Sequence, residues 1–492
     1  MDLEHPDLTP FEPTLRRLIE RAFSPPLLYP GSALLVLRWA PDNQPRRFVA
    51  ECLAAYRILQ RDVAGEAIAL EHHATRLTSQ LKDARRARDK LQTARFDAAV
   101  RIARRRQLIL RRMLDAVVYL VCDQYVWFVR RLALRDDVAP IDLSTLARAV
   151  EEATRRGERE PDTLHLAADL TTSVQIGDLL EAFVDSELRW HVRVVEIKDG
   201  RINRILEERL GDHDMVSHET LLTIRSELGA KAADQAARML RQRRRLRGLS
   251  DLRRTRRGLD PRTGREIQRT RDTPPAPSYQ PELRALIEAT ARHGQHLIQI
   301  DKCLTLAGVR DDVSGEPSLV AHSLFHYKRP NTLCLLSGER AEEELTVLAH
   351  EPPVIDLVEH TYRSTWSSPV FSWGSLDRVC DLLTGRIRVY GQFDVTVFME
   401  RAARMGMKMS WVTGRRAEML KQTGITTRIP GSPRASAILV ELPDHTRIEL
   451  LLGALGRIFL ELARPDTILK SLLASGPEAQ RVQDELARGR DR

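Results

Sequence analysis

The chain has 492 residues, enough for two or three domains that each build a core. With 42% hydrophobic and 29% charged residues it has the composition of a folded globular protein, and at 5% aromatic it is poorly equipped to stack single-stranded bases. Five scattered cysteines exclude a zinc ribbon or a disulfide scaffold and fit a reducing compartment. The start, MDLEHPDLTP, is acidic and lacks an apolar core, so no secretory signal is expected. Residues 113–129 are apolar but interrupted by Asp115, Asp123 and Gln124 and too short to span a bilayer, so a cytoplasmic protein without a membrane anchor is expected.

Residues 1–45 are punctuated by proline, with a short helix (LRRLIERAF) and a strand-like run (LLVLRW) among them. Residues 46–135 hold no proline and a single glycine, Gly65, and are rich in Ala, Leu, Glu and Arg, which predicts a long helical arm. Between Leu70 and Leu110 the apolar positions recur at wide helical spacing, the pattern of a helical hairpin or coiled coil. Such an arm is an expected surface for homo-oligomerisation or complex assembly. The apolar stretch from Met113 to Leu132 then has to be buried, against the domain that begins near residue 136.

Residues 136–248 form the segment with the most chemistry. An amphipathic helix begins at a plausible cap, Asp142, and ends at Gly157. Beyond Pro161 come strand-like runs, and from Val174 to Lys198 the chain has the form of a β-hairpin whose ends carry Asp178, Glu196 and Lys198. Strand side chains alternate, so Glu196 and Lys198 share a face, roughly 6–7 Å apart along the strand. Two carboxylates brought together suit Mg²⁺ or Mn²⁺, and a compact ammonium beside them suits phosphate chemistry. Only nine of the 77 basic residues are lysine, so Lys198 stands out. The competing reading is an exposed ion pair at a strand end. Helices are expected at Ile202–Leu210 and Glu219–Leu246.

Residues 249–280 read as an Arg-rich linker. From Arg241 to Asp272 there are 13 arginines against four acids, an excess equal to the net charge of +9. Arg241, Arg243, Arg244, Arg245, Arg253, Arg254, Arg256 and Arg257 are the candidate contacts to a polyanion such as nucleic acid. A solvated, extended linker explains the same charge equally well, and residual helicity near Arg243–Arg245 would make its first part a helix extension. Residues 281–492 alternate a helix (PELRALIEATARHG) with strand-like runs (HLIQIDKCLTLAG, NTLCLLS, RIRVYGQ, SAILVEL) before a helical stretch, ELLLGALGRIFLELA. The whole is therefore a mixed α+β protein: a long helical N-terminal region, an α/β core and a C-terminal α+β domain.

The helix from Asp142, the strand entered by Ile176-Gly177-Asp178, the strand ended by Glu196-Ile197-Lys198 and the helix after it resemble the catalytic core of the PD-(D/E)XK nuclease superfamily, over residues 142–246. DLTTSVQIGDLL and VVEIKDGRIN are also similar to a group of bacterial proteins of this type. The resemblance implies a restriction-endonuclease-like core in which Asp178 and Glu196, with the Ile197 carbonyl, hold the metal and Lys198 positions the attacking water. It implies a supporting acid on the core helix, for which Glu151 and Glu152 are candidates, and allows Asp169 at the rim and Gln235 on the later helix. The residue before Asp178 is glycine where the superfamily commonly has proline. A fourth strand would come from after the linker, with HLIQIDKCLTL extending the core to about residue 310.

The function so implied is metal-dependent hydrolysis of DNA, less readily RNA, in a setting such as phage defence or DNA repair. The alternatives are an inactive nuclease-like fold that binds nucleic acid or serves as a scaffold, and a coiled-coil interaction protein whose hairpin charges are incidental.

Overall fold

The computed structural model describes residues 8–23, 45–122, 126–134, 141–186, 190–197, 201–211, 216–255, 257–260, 266–268, 278–312, 354–359, 370–412, 414–416, 418, 437–451, 455, 457–459 and 461–474. The chain is of mixed α+β class with a long helical N-terminal region, and it divides into two units, Met1–Arg269 with Tyr362–Ser372 and Thr270–Thr361 with Trp373–Arg492. No helix among the described residues is long and apolar enough to cross a membrane. LLVLRW, NTLCLLS and Cys334 lie outside the described residues; the other four cysteines are buried and free.

In the first unit, α1 (Glu12–Phe23) packs on α2 (Pro45–Arg86), which pairs with α3 (Lys90–Val121) as an antiparallel hairpin. The turn between them uses Arg88 at φ 57°, and Asp89 caps α3 by accepting the Gln92 amide at 3.0 Å. Ala74 and Leu77 of α2 meet Ala103, Phe96, Ala99 and Val100 of α3, so the wide apolar spacing of the arm is used within the chain's own hairpin. The lower half of α3 is enclosed, with every residue from Ile109 to Val118 buried, Arg111, Arg112 and Asp115 among them. A short helix α4 (Val126–Leu132) comes next.

Helix α5 (Leu143–Arg159) starts where expected, with Asp142 accepting the Ser144 amide at 2.9 Å. It packs on β1 (Thr163–Ala167), the first of three antiparallel strands in the order β1-β2-β3, with β2 at Leu179–Val184 and β3 at Trp190–Val195. Helices α6 (Arg201–Leu210), α7 (His218–Leu228) and α8 (Ala230–Thr255) close around Leu206, Leu210, Ile224, Ala236, Met239 and Leu240. The stretch expected to be a linker begins as structure, since α8 runs through Thr255 and leads into a hairpin, β4 (Arg257–Leu259) with β5 (Glu266–Gln268). Helix and hairpin meet backbone to backbone at two glycines: a Cβ on Gly248 would lie 2.7 Å from the Leu259 carbonyl, and one on Gly258 would lie 3.0 Å from that of Gly248.

The second unit carries α9 (Gln280–His293) and the sheet β6-β7-β9-β8, with β6 at Gln295–Ile300, β7 at Leu304–Arg310, β8 at Val354–Asp356 and β9 at Ile387–Phe393. The run HLIQIDKCLTL thus forms β6 and the start of β7; the two strands pair with each other, β7 pairs on its other side with β9, and neither supplies a fourth strand to β1-β2-β3. Their three-residue turn, Asp301 to Cys303, places Asp301 and Lys302 in the left-handed region at φ 46° and 61°. Two further helices, α10 (Leu376–Thr384) and α11 (Val395–Arg404), precede the sheet β10-β11-β12 (Lys408–Trp411, Ala437–Glu441, Arg447–Leu451). The expected helix ELLLGALGRIFLELA is corrected at its start: Glu449–Leu451 belong to β12, paired with Ala437–Leu439.

Candidate active site

The site is built where three strand ends meet. Chain order brings Asp178 to the entrance of β2 and Glu196 to the exit of β3, and antiparallel pairing of β2 with β3 puts the entrance beside the exit. Two hydrogen bonds fasten them: the Asp178 amide donates to the Val195 carbonyl at 2.9 Å, and the Ile197 amide donates to Asp178 Oδ2 at 2.6 Å. Glu196 lies between these two anchor points, half-buried, with Oε1 withdrawn from solvent. Gly177 explains why glycine precedes the aspartate. It sits at φ +71°, where a Cβ would be 2.9 Å from the Val195 carbonyl and closer still to Val194 Cγ1, so no side chain fits this approach.

Burial raises the Asp178 carboxyl above its ordinary range, and the neighbouring Asp169 adds to the rise. The Ile197 amide and the Arg148 and Arg238 guanidiniums oppose it. Asp169 comes just after β1, is exposed and accepts the Thr145 hydroxyl of α5 at 3.0 Å. A half-buried carboxylate whose charged form is disfavoured gains from a divalent cation. The donors available are Asp178, Glu196 and the Ile197 carbonyl, hard oxygens of the kind Mg²⁺ and Mn²⁺ take. Among the described residues no group of three His, Cys, Asp or Glu side chains converges to hold a metal. Lys198 lies outside the described residues.

The supporting residues distribute unevenly. Glu151 is exposed on α5, whereas Glu152 pairs with Arg156 at 2.7 Å and with Arg155 at 2.5 Å, turned toward a different cluster. Gln235 of α8 donates to Asn203 Oδ1 of α6 at 3.2 Å and accepts from Arg238, so it braces the guanidinium that acts on Asp178. Arg238, Arg241 and Arg244 are exposed, opposite the buried Ala232, Ala236 and Met239. Arg245 is half-buried, and Arg243 turns inward to the Gly211 carbonyl. The side chains of Arg253, Arg254 and Arg257, and all of Arg256, lie outside the described residues.

Arg148 and Arg238 are additions that the motif does not name. So is Glu181, fully buried in β2 with His165 and Arg193 as its register partners on β1 and β3. It accepts from His165 Nδ1 at 3.1 Å, from Arg156 at 2.9 Å and from Arg193. Burial alone would raise its carboxyl, but the hydrogen bonds from His165 and Arg193 outweigh that and hold it at about 2. The available signal is three polar residues at strand positions that pair only once the register is known.

Comparison with family models, with curated proteins and with solved structures finds no match to the chain.

Proposed function

We propose that the chain is a Mg²⁺- or Mn²⁺-dependent nuclease that hydrolyses phosphodiester bonds of DNA, and less readily of RNA, at a PD-(D/E)XK-type centre in a restriction-endonuclease-like core. The observation that carries this reading is the lock between Asp178 and the backbone on either side of Glu196. The order of one helix, three antiparallel strands and a helix supports it as well. Asp178, Glu196 and the Ile197 carbonyl would hold the cation, which when bound supplies Lewis acidity toward phosphate and a more acidic water. Lys198, next along the chain, would position that water and offset the charge that develops on the phosphate oxygens. Arg148 and Arg238 would bind phosphates beside the scissile one, and Arg241, Arg244 and Arg245 would grip the backbone beyond.

The test is cleavage of labelled double- and single-stranded DNA and RNA with Mg²⁺, Mn²⁺ or EDTA, comparing wild type with Lys198→Ala and Asp178→Ala. Metal-dependent cutting that both variants lose is the expected result. A second reading, a catalytically inactive nucleic-acid-binding or scaffold subunit of a bacterial defence or repair complex, draws on the exposed basic face of α8, which needs no turnover to act. Salt-sensitive binding without cutting by any form would select it. Cutting that survives both substitutions would refute the assigned centre.

A further inference from the structure

The segment that joins Asp169 to Asp178 is held mainly by the helices beneath it. Asp115, buried in the lower half of α3, accepts four hydrogen bonds from two consecutive residues of that segment. The Thr172 amide donates to Oδ1 at 2.8 Å, the Ser173 amide at 2.9 Å and the Ser173 hydroxyl at 2.7 Å, while the Thr172 hydroxyl donates to Oδ2. One turn earlier, Arg111 donates through Nε to the Thr171 carbonyl at 3.1 Å. After α4, the Leu132 carbonyl accepts the Gln175 amide at 2.8 Å and the Leu134 amide donates to Gln175 Oε1 at 2.9 Å. Thr171, Thr172 and Ser173 are each 1% exposed, so in the fold these bonds are made to the protein and not to water.

We propose that Asp115 is a positioning residue for the candidate active site: it fixes the path of residues 171–173 and, through them, the placement of Asp178 against Glu196. The inference rests on the metal-centre reading given above. Two amides and two hydroxyls converging on one carboxylate leave the segment a single conformation, since each hydrogen bond to a charged acceptor is short, directional and stronger than its neutral counterpart. Ser173 is five residues before Asp178, and the intervening Gln175 is itself tied to α4, so no slack remains between clamp and site. Groups that orient ligands without touching the metal typically change its affinity by about 10- to 100-fold when removed.

The test uses the full chain with Mn²⁺ alone as the probe. Mn²⁺ affinity is read from the electron paramagnetic resonance of the free ion, and amide hydrogen exchange is followed over residues 172–178. Wild type is compared with Asp115→Asn and with Asp97→Asn. The latter makes the same chemical change near the tip of the helical hairpin, where Asp97 meets Arg85 and Arg101, away from this segment. Asp115→Asn is expected to weaken Mn²⁺ binding by about tenfold or more and to speed exchange at Thr172, Ser173 and Asp178, with neither change in Asp97→Asn. Unchanged affinity and exchange in folded Asp115→Asn overturn the proposal, as do equal effects from both variants. If Asp115→Asn does not fold, Thr172→Val combined with Ser173→Ala removes the two hydroxyl bonds and is judged by the same readouts. Should wild type bind no Mn²⁺, the metal-centre reading fails, and the positioning claim stands or falls on exchange at Asp178 alone.

Discussion

The amide of Ile197 donates to the carboxylate of Asp178 at 2.6 Å, so the strand that ends in one acid is tied to the side chain of the other. This bond holds Asp178 in place at a cost, because the carboxylate is half-buried and its charged form is disfavoured there. On the proposed function, the arrangement would favour a bound cation over stability without one.

Asp178→Asn should therefore part stability from activity. The amide oxygen still accepts from Ile197 while the desolvated charge is gone, so the metal-free melting temperature should rise by about 2 °C or more. Cleavage should fall to background. A calorimetric scan in EDTA and a nuclease assay in Mg²⁺ check both; a lower melting temperature would contradict the electrostatic account.

Gly177→Ala tests the close approach of β2 and β3. Positive φ costs a non-glycine residue about 1–3 kcal/mol, and the clash with the Val195 carbonyl adds to it. Urea unfolding measures the loss. Because the displaced residue precedes Asp178, Mn²⁺ affinity should weaken in the fraction that folds.

Glu181→Gln removes the charge at the centre of the His165, Arg156 and Arg193 cluster and should destabilise by about 1–3 kcal/mol, since the buried carboxylate loses charge-assisted hydrogen bonds while its arginine partners stay partly in water. Its carboxyl sits at about 2 in the fold against an ordinary 4.5, so its contribution is complete above the ordinary value and is lost as pH falls from 4.5 toward 2. Chemical denaturation across that interval should show wild type losing stability more steeply than the variant. Parallel curves would mean that Glu181 is not held by its cations.

Replacing Arg238, Arg241 and Arg244 together by alanine should reduce the slope of log affinity against log salt by about 0.7–0.9 for each phosphate that is no longer neutralised. Fluorescence anisotropy with a labelled duplex in EDTA measures this without cleavage. A slope equal to that of wild type would take the α8 face out of the binding surface.

Much of the local structure is legible in the chain because short-range chemistry decides it. Asp142 caps α5, the apolar spacing from Leu70 to Leu110 closes a helical hairpin, and Gly177-Asp178 enters a strand. Pairing over longer distances is not. HLIQIDKCLTL reads as strand in either sheet, and only the ladder with β9 settles which. Glu181 in LLEAFV looks like one polar position on an exposed face until His165 and Arg193 are seen beside it. Asp115 reads as a blemish in an apolar helix, since the segment it holds is 57 and 58 residues away. The arginines past residue 248 suggest a solvated tether, yet arginine is a good helix former and α8 continues through Arg253 and Arg254.

That continuity changes what the basic stretch can discriminate. On an extended coil the guanidiniums would form a cloud of charge, equally welcoming to any polyanion. On a helix the Cα atoms of Arg238 and Arg245 are held two turns apart on one side, about 10.5 Å along the axis. Under the proposed binding role the segment would work as a ruler as well as an attractant, and anions whose charges repeat at another interval would meet it out of step.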